Sequence, residues 1–235
     1  MSQHRIYFPD QLPEVGGRVA LGGEEAQHAF RVKRVEPGEL VALHDGRGGV
    51  AVAGVVGVSK RRGEWTLELE VREVELRARP EPRLTVLASA PKGDRLEAMV
   101  DGLAQVGVER FSPLVTARTV VEPRQGKLDR LARVAVEAMK QSGGAYLLDV
   151  GGPVALADAL KREGAVIMAD ASGESWRGPI ASRVTLLVGP EGGWTPEELE
   201  EARGAGARVA RFGAFTMRVE VAAVVSAGIL MQAGG

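Results

Sequence analysis

The chain has 235 residues, 45% of them hydrophobic and 26% charged, which suits one large or two small globular domains, each with its own core. It contains no cysteine, so disulfides, thiolate nucleophiles and zinc–thiolate sites are excluded; His4, His28 and His44 lack the i, i+4 spacing of a helical metal site. With 30 Lys+Arg against 31 Asp+Glu the formal net charge is −1, so overall charge selects no polyanionic partner. No apolar run reaches the length of a membrane span and Met1–Arg5 carries no apolar signal core, so a cytoplasmic location is expected.

In chain order, short strands are expected at Arg5–Phe8, Arg18–Leu21, Leu40–His44, Gly49–Val58 and Trp65–Val74, with a helix over Glu24–Val35. Leu67, Leu69 and Val71 alternate with Glu68, Glu70 and Arg72, the period-2 pattern of a half-buried strand. Many short strands at this spacing predict a small β-barrel over residues 1–74. Arg77–Arg83, with Pro80 and Pro82 among charges, reads as a linker opening a second domain over 75–235. There the pattern becomes strand Arg83–Ala90, helix Asp94–Val106, strand Arg110–Val115, helix Lys127–Gln141, helix Leu156–Arg162 and strands Ala165–Ala169 and Val184–Val188. Helices Pro196–Ala205 and Glu220–Met231 follow. Continuous apolar strands alternating with helices predict an α/β fold with a parallel sheet.

Two segments carry chemistry. Val184–Val188 runs into Gly189-Pro-Glu-Gly-Gly193, and Thr195-Pro-Glu-Glu198 then supplies an N-cap, a proline at the first helical position and the glutamate of a capping box. Loops leaving the carboxyl ends of parallel strands bind ligands, and glycines let the backbone approach one closely. Neither a P-loop nor a dinucleotide fingerprint is present, which leaves another nucleoside-containing ligand or a plain turn. The second segment, Arg211-Phe-Gly-Ala-Phe-Thr-Met-Arg218, leads into Val219-Glu220 and an apolar helix. A cation at a helix start opposes the helix dipole, so Arg218 is either kept for function or paired with a neighbour such as Glu220.

Together these segments resemble the RsmE family, 16S ribosomal RNA uridine-N3 methyltransferases of the SPOUT superfamily. Further similarity lies in Arg5-Ile-Tyr-Phe8, His28-Ala-Phe-Arg-Val-Lys-Arg34, Lys92-Gly-Asp-Arg-Leu-Glu97, Val106-Gly-Val108 and Glu137-Ala-Met-Lys-Gln-Ser-Gly143, so it runs through nearly the whole chain. The chain departs from the family pattern at Lys140, where glutamate is usual, at Gly144, where arginine is usual, and at Asp101, Phe215 and Val221.

The resemblance implies a PUA-like barrel followed by a SPOUT-type parallel sheet with a C-terminal trefoil knot, assembled as a homodimer. It implies S-adenosylmethionine (SAM) as cofactor, held by Met168, Ala169, Leu187, Gly189, Pro190, Glu191, Gly192, Gly193, Phe212, Gly213, Phe215, Thr216, Met217, Arg218 and Val219. The partner it implies is small-subunit ribosomal RNA, naked or in an assembled particle, with Arg5, His28, Arg34 and Lys92 as the expected contacts. The expected reaction is methylation of uridine N3. Arg218 would stabilise charge developing on the uracil, and Glu220 would orient Arg218 or take the proton. Two competing readings are a non-catalytic RNA-binding or ribosome-assembly protein that retains the cofactor pocket, and a tRNA methyltransferase.

Overall fold

The computed structural model describes residues 4–31, 34–61, 63–178 and 180–233. It divides into two compact units, Met1–Arg79 with Met139–Leu147, and Pro80–Ala138 with Leu148–Gly235. The division expected after Val74 falls inside a strand that continues to Leu76, and a segment from the middle of the chain joins the first unit.

In the first unit, strands β1 (His4–Tyr7), β2 (Arg18–Leu21), β3 (Leu40–His44), β4 (Gly49–Arg61) and β5 (Glu64–Leu76) form one sheet in the order β1-β3-β4-β5-β2. The β1–β3 pair is parallel and the rest are antiparallel. Bulges at Val52/Ala53 and Val55/Gly57 interrupt the long β4–β5 hairpin, and such insertions bend and twist a sheet. The strands thereby wrap one core, in which the alternating Leu67, Leu69 and Val71 meet Ile6, Leu43 and Ala53. Helix α1 (Gly23–Arg31) closes this core with Ala26 and Ala29. It is shorter than the expected Glu24–Val35 because Arg34 takes a left-handed φ of 52°, and Glu36 precedes Pro37, a position that disfavours helix.

In the second unit, β6 (Arg83–Ala88), α2 (Arg95–Gln105), β7 (Arg110–Val115) and α3 (Gln125–Ser142, whose residues from Met139 onward belong to the first unit) lead to the short strands β8 (Asp149–Val150) and β9 (Val154–Ala155). Next come α4 (Leu156–Ala159), β10 (Ala165–Ser175), β11 (Arg183–Val188), α5 (Pro196–Gly204), β12 (Arg208–Arg211) and α6 (Val219–Ala233). The all-parallel sheet runs β12-β10-β11-β6-β7-β8, with β9 also on β7. One face packs Leu87, Met168 and Leu187 against Leu156, Trp194 and Ala202; on the other, α6 contacts β6, β11 and α2. β10 extends past its expected end at Ala169: both Ala169 and Glu174 register with Ala210 of β12, so residues 170–173 form a bulge within the strand.

Candidate active site

The site is built at the carboxyl edge of β10, β11 and β12, where the polypeptide turns away from three neighbouring strands at once. The loop after β11 owes its shape to two glycines. Gly193 has φ +70°, a conformation costly for a residue with a Cβ, and its N–H closes a turn onto the Pro190 carbonyl at 2.8 Å. At Gly189 the place a Cβ would occupy lies 2.8 Å from the Trp194 indole, whose Nε1 donates to the Ala169 carbonyl at 3.0 Å. The glycine thus makes room for a side chain of its own loop, and the indole ties the β11 loop to Ala169 of β10, where the bulge begins.

Helix α5 then starts on a complete capping box. The Glu198 N–H donates to Thr195 Oγ1 at 3.2 Å, and the Thr195 N–H donates to Glu198 Oε2 at 2.9 Å. The second oxygen of the buried Glu198 accepts from the Ala117 N–H at 2.8 Å, which fixes the loop after β7 to the same helix start. Arg118 adds a bond of 2.6 Å to the Gly192 carbonyl.

These loops enclose a cavity of about 280 Å³. Ala169 and Asp170 form one wall, Val188–Glu191 with Gly193 and Trp194 a second, and Arg211–Met217 with Val219 a third. Of the residues expected to hold a cofactor, Ala169, Gly189, Pro190, Glu191 and Gly193 line it from the first two walls. Phe212, Gly213, Phe215, Thr216, Met217 and Val219 do so from the third. Met168 and Leu187 are fully buried behind the walls, and neither Gly192 nor Arg218 is among the lining residues. Ala222 and Ser226 of α6 close the back. The Ser226 hydroxyl is fully buried and has no hydrogen-bond partner among the described residues, an arrangement that costs stability unless something in the cavity satisfies it.

Arg218 is exposed at the N-terminus of α6, where its carbonyl accepts the first helical bond from the Ala222 N–H at 2.8 Å. Glu220 does not pair with it. Its carboxylate lies 3.8 Å from Arg95 of α2, and the same guanidinium sits 3.4 Å from Glu191. Arg95 therefore links the β11 loop to the start of α6. Among the described residues no group of three His, Asp or Glu side chains is placed to hold a metal ion.

This geometry has counterparts. An RNA methyltransferase domain family matches residues 79–231, and an RNA methyltransferase PUA domain matches residues 21–67. The chain belongs to this RNA methyltransferase family. It is 29% identical to the ribosomal RNA small subunit methyltransferase E of Mycobacterium bovis, over 95% of this chain and 89% of that protein. To the protein of the same name from Aquifex aeolicus it is 28% identical, over 92% and 95%. A Legionella pneumophila protein assigned as a methyltransferase and solved with SAM bound has a TM-score of 0.86 at 26% identity, covering 100% of this chain and 99% of that one. The methyltransferase E of Neisseria gonorrhoeae shares the fold, with a TM-score of 0.87 at 24% identity over 98% of each chain.

In this RNA methyltransferase the expected RNA contacts do not all stand free. Arg5 donates from Nη1 to the Lys140 and Gln141 carbonyls at 3.0 and 2.7 Å, satisfying the C-terminus of α3. His28 is half-buried and stacks on His4 with ring centroids 5.9 Å apart, whereas Arg34 and Lys92 are exposed. Lys140, where the chain departs from the family pattern, is buried and paired with Glu25 at 2.8 Å. The carbonyl at the second departure, Gly144, accepts from His44 Nδ1 at 2.9 Å. Burial first, opposed by that bond, and then the cations Arg5 and Arg77 hold His44 below its ordinary pKa. Sequence reasoning missed Ser226, Trp194 and Arg95. Arg95 lies inside the Lys92–Glu97 segment and Trp194 between the glycine loop and the capping box, but neither residue type carries a ligand signal of its own, and Ser226 belongs to no motif.

Proposed function

We propose that the protein transfers the methyl group of SAM to N3 of a uridine in small-subunit ribosomal RNA, as a homodimer acting in the cytoplasm. The observation that carries this reading is the cavity at the strand ends, with the unpartnered Ser226 hydroxyl inside it. Its chemistry fits SAM. Val188, Pro190, Phe212 and Met217 offer apolar surface for a flat base, and Asp170 and Glu191 offer carboxylates for ribose hydroxyls or an ammonium. Support comes from the relatives named ribosomal RNA small subunit methyltransferase E and from SAM in the Legionella protein.

When bound, SAM supplies an electrophilic methyl group on a sulfonium. The chain's residues have the remaining task. Uracil N3 carries a weakly acidic proton, and the ring must be unstacked before that edge can enter a cavity. Arg218, exposed beside the third wall, donates to the uracil oxygens and favours the anion. Glu220, held by Arg95, is the acceptor for the N3 proton, a role favoured over orienting Arg218 because no ion pair joins the two among the described residues. Arg34, His28 and Lys92 engage the RNA backbone.

The homodimer reading rests on α6. Val221, Val225 and Ile229 recur every four residues, so they share one helix face, and all three are exposed; Phe215 nearby is 88% exposed although it lines the cavity. A second copy would cover this strip and complete the site. The C-terminal trefoil knot belongs to the same proposal, supported by the pairing of β12 with β10 on both sides of the 170–173 bulge.

The test is deletion of the gene in its host, followed by mapping of methylated bases across the small-subunit RNA. Loss of one 3-methyluridine, restored by the intact gene but not by an Arg218→Ala copy, is expected. An unchanged rRNA map overturns the reading, and a lost tRNA methylation redirects it to tRNA.

A further inference from the structure

The opposite edge of the parallel sheet has a chemistry of its own. Four of its strands begin with arginine: Arg83 of β6, Arg110 of β7, Arg183 of β11 and Arg208 of β12. Two are neutralised. Arg83 makes a two-point pair with Glu109, and Arg110 lies 3.4 Å from Asp149. The other two are not: among the described residues no carboxylate pairs with Arg183 or Arg208, nor with Arg162 nearby.

Two hollows of about 230 and 250 Å³ lie along this edge and meet at Arg162. Arg208 borders the first, Arg83 and Arg183 the second. The carboxylates on the second hollow are Glu109, already engaged by Arg83, and the exposed Glu163. Arg183 and Arg83 are moreover direct neighbours in the β11–β6 register, so with Arg83 engaged by Glu109 it is Arg183 that keeps an uncompensated charge there.

Arg208 is also held in place. Its guanidinium lies 4.4 Å from the centre of the Trp176 ring and donates from Nη2 to the Arg177 carbonyl at 3.0 Å. A guanidinium fixed in this way loses little freedom when it meets an oxyanion, and its planar donors match a phosphate. The geometry points to a phosphate-binding surface for RNA backbone on the methyltransferase unit, formed by Arg162, Arg183 and Arg208, at the end of the sheet away from the cofactor cavity. It extends the RNA reading above, on which it rests, to a second surface that reaches rRNA flanking the methylated base. A polyanion is the fitting occupant because unpaired cations cluster here on a chain whose net charge is −1.

The experiment compares the full-length protein with the triple variant Arg162→Ala/Arg183→Ala/Arg208→Ala, binding a small-subunit rRNA transcript over a salt series. SAM affinity by calorimetry and thermal unfolding report on the fold. The expected result is a loss of RNA affinity on the order of tenfold, with the slope of log K against log salt reduced by about 2–3, because each phosphate contact contributes roughly 0.7–0.9. SAM affinity stays unchanged. An unchanged salt slope in a variant that still binds SAM overturns the proposal, as does a variant that only changes its oligomeric state. Wild-type protein that binds SAM but no rRNA overturns both the surface and the reading it rests on. Wild-type binding to rRNA with no effect of the triple change overturns the surface alone.

Discussion

The charged residues around Met139–Leu147 in the first unit and those around the cavity of the second are arranged in opposite ways. In the first, partners close on one another: Arg5 on the α3 carbonyls, Lys140 on Glu25, His44 on the Gly144 carbonyl. In the second, groups are left open: among the described residues the buried Ser226 hydroxyl has no partner and Glu220 reaches only Arg95, at 3.8 Å, while Arg218 is exposed. Closed networks hold a fold, and their loss is felt as instability. Open groups beside a cavity await a ligand, and their loss is felt as activity.

The largest expected effect is at an open group. Arg218→Ala should lower the rate of methyl transfer by about 10²–10³-fold, the cost of removing one preorganised donor, while thermal unfolding stays at the wild-type temperature. A loss of stability of similar free energy would move Arg218 into the closed class. Lys140→Ala should do the reverse. Removing the buried ammonium leaves Glu25 without its cation and should cost roughly 3 kcal/mol in urea unfolding, with methyl transfer per folded molecule retained.

Thr195→Ala removes one half of the capping box and should destabilise by about 1 kcal/mol. Because the same box anchors the cavity's second wall, weaker SAM binding by calorimetry should accompany it. Arg95→Ala should weaken SAM binding two- to five-fold, in line with about 0.5–1 kcal/mol for a partly exposed ion pair. Arg95→Lys should recover only part of this, since a single ammonium does not span both carboxylates.

The smallest effect concerns pH. His44 is held below 6.5 in the fold, so the unfolded chain binds its proton more readily. Its contribution to stability is complete above pH 6.5 and is lost as pH falls through the window below that value. Unfolding measured at pH 7.5 and 5.5 should show this loss, and His44→Gln should flatten it. A slope that survives the substitution assigns the pH dependence to another group.

Much of the molecule was legible along the chain. The capping box of Thr195 and Glu198, the alternation of Leu67, Leu69 and Val71, and the strand–loop–helix around Gly189–Gly193 formed as expected. Each is specified by residues within about four positions of one another, the range over which turns, caps and period-2 patterns act. The departure at Lys140, by contrast, found its reason 115 residues away in Glu25. Helix α1 stopped early because Arg34 and Pro37 end it locally, and Pro37 at least was a stop signal present in the sequence.

What the sequence by itself determined was therefore the succession of elements, the cap that starts α5 and the glycine-rich loop that lines the cavity. Only the tertiary structure decided which groups meet. Strand order brought the ends of β10, β11 and β12 together around one cavity, carried Ser226 of an all-round apolar helix to its back wall and set Arg95 between Glu191 and Glu220. It also gathered at the other edge the arginines that begin strands up to 125 positions apart in the chain, Arg83 and Arg208. The physical reason is that local propensity reaches one turn of helix or one hairpin, whereas a site in a parallel sheet is assembled from crossovers whose order no neighbouring residue encodes.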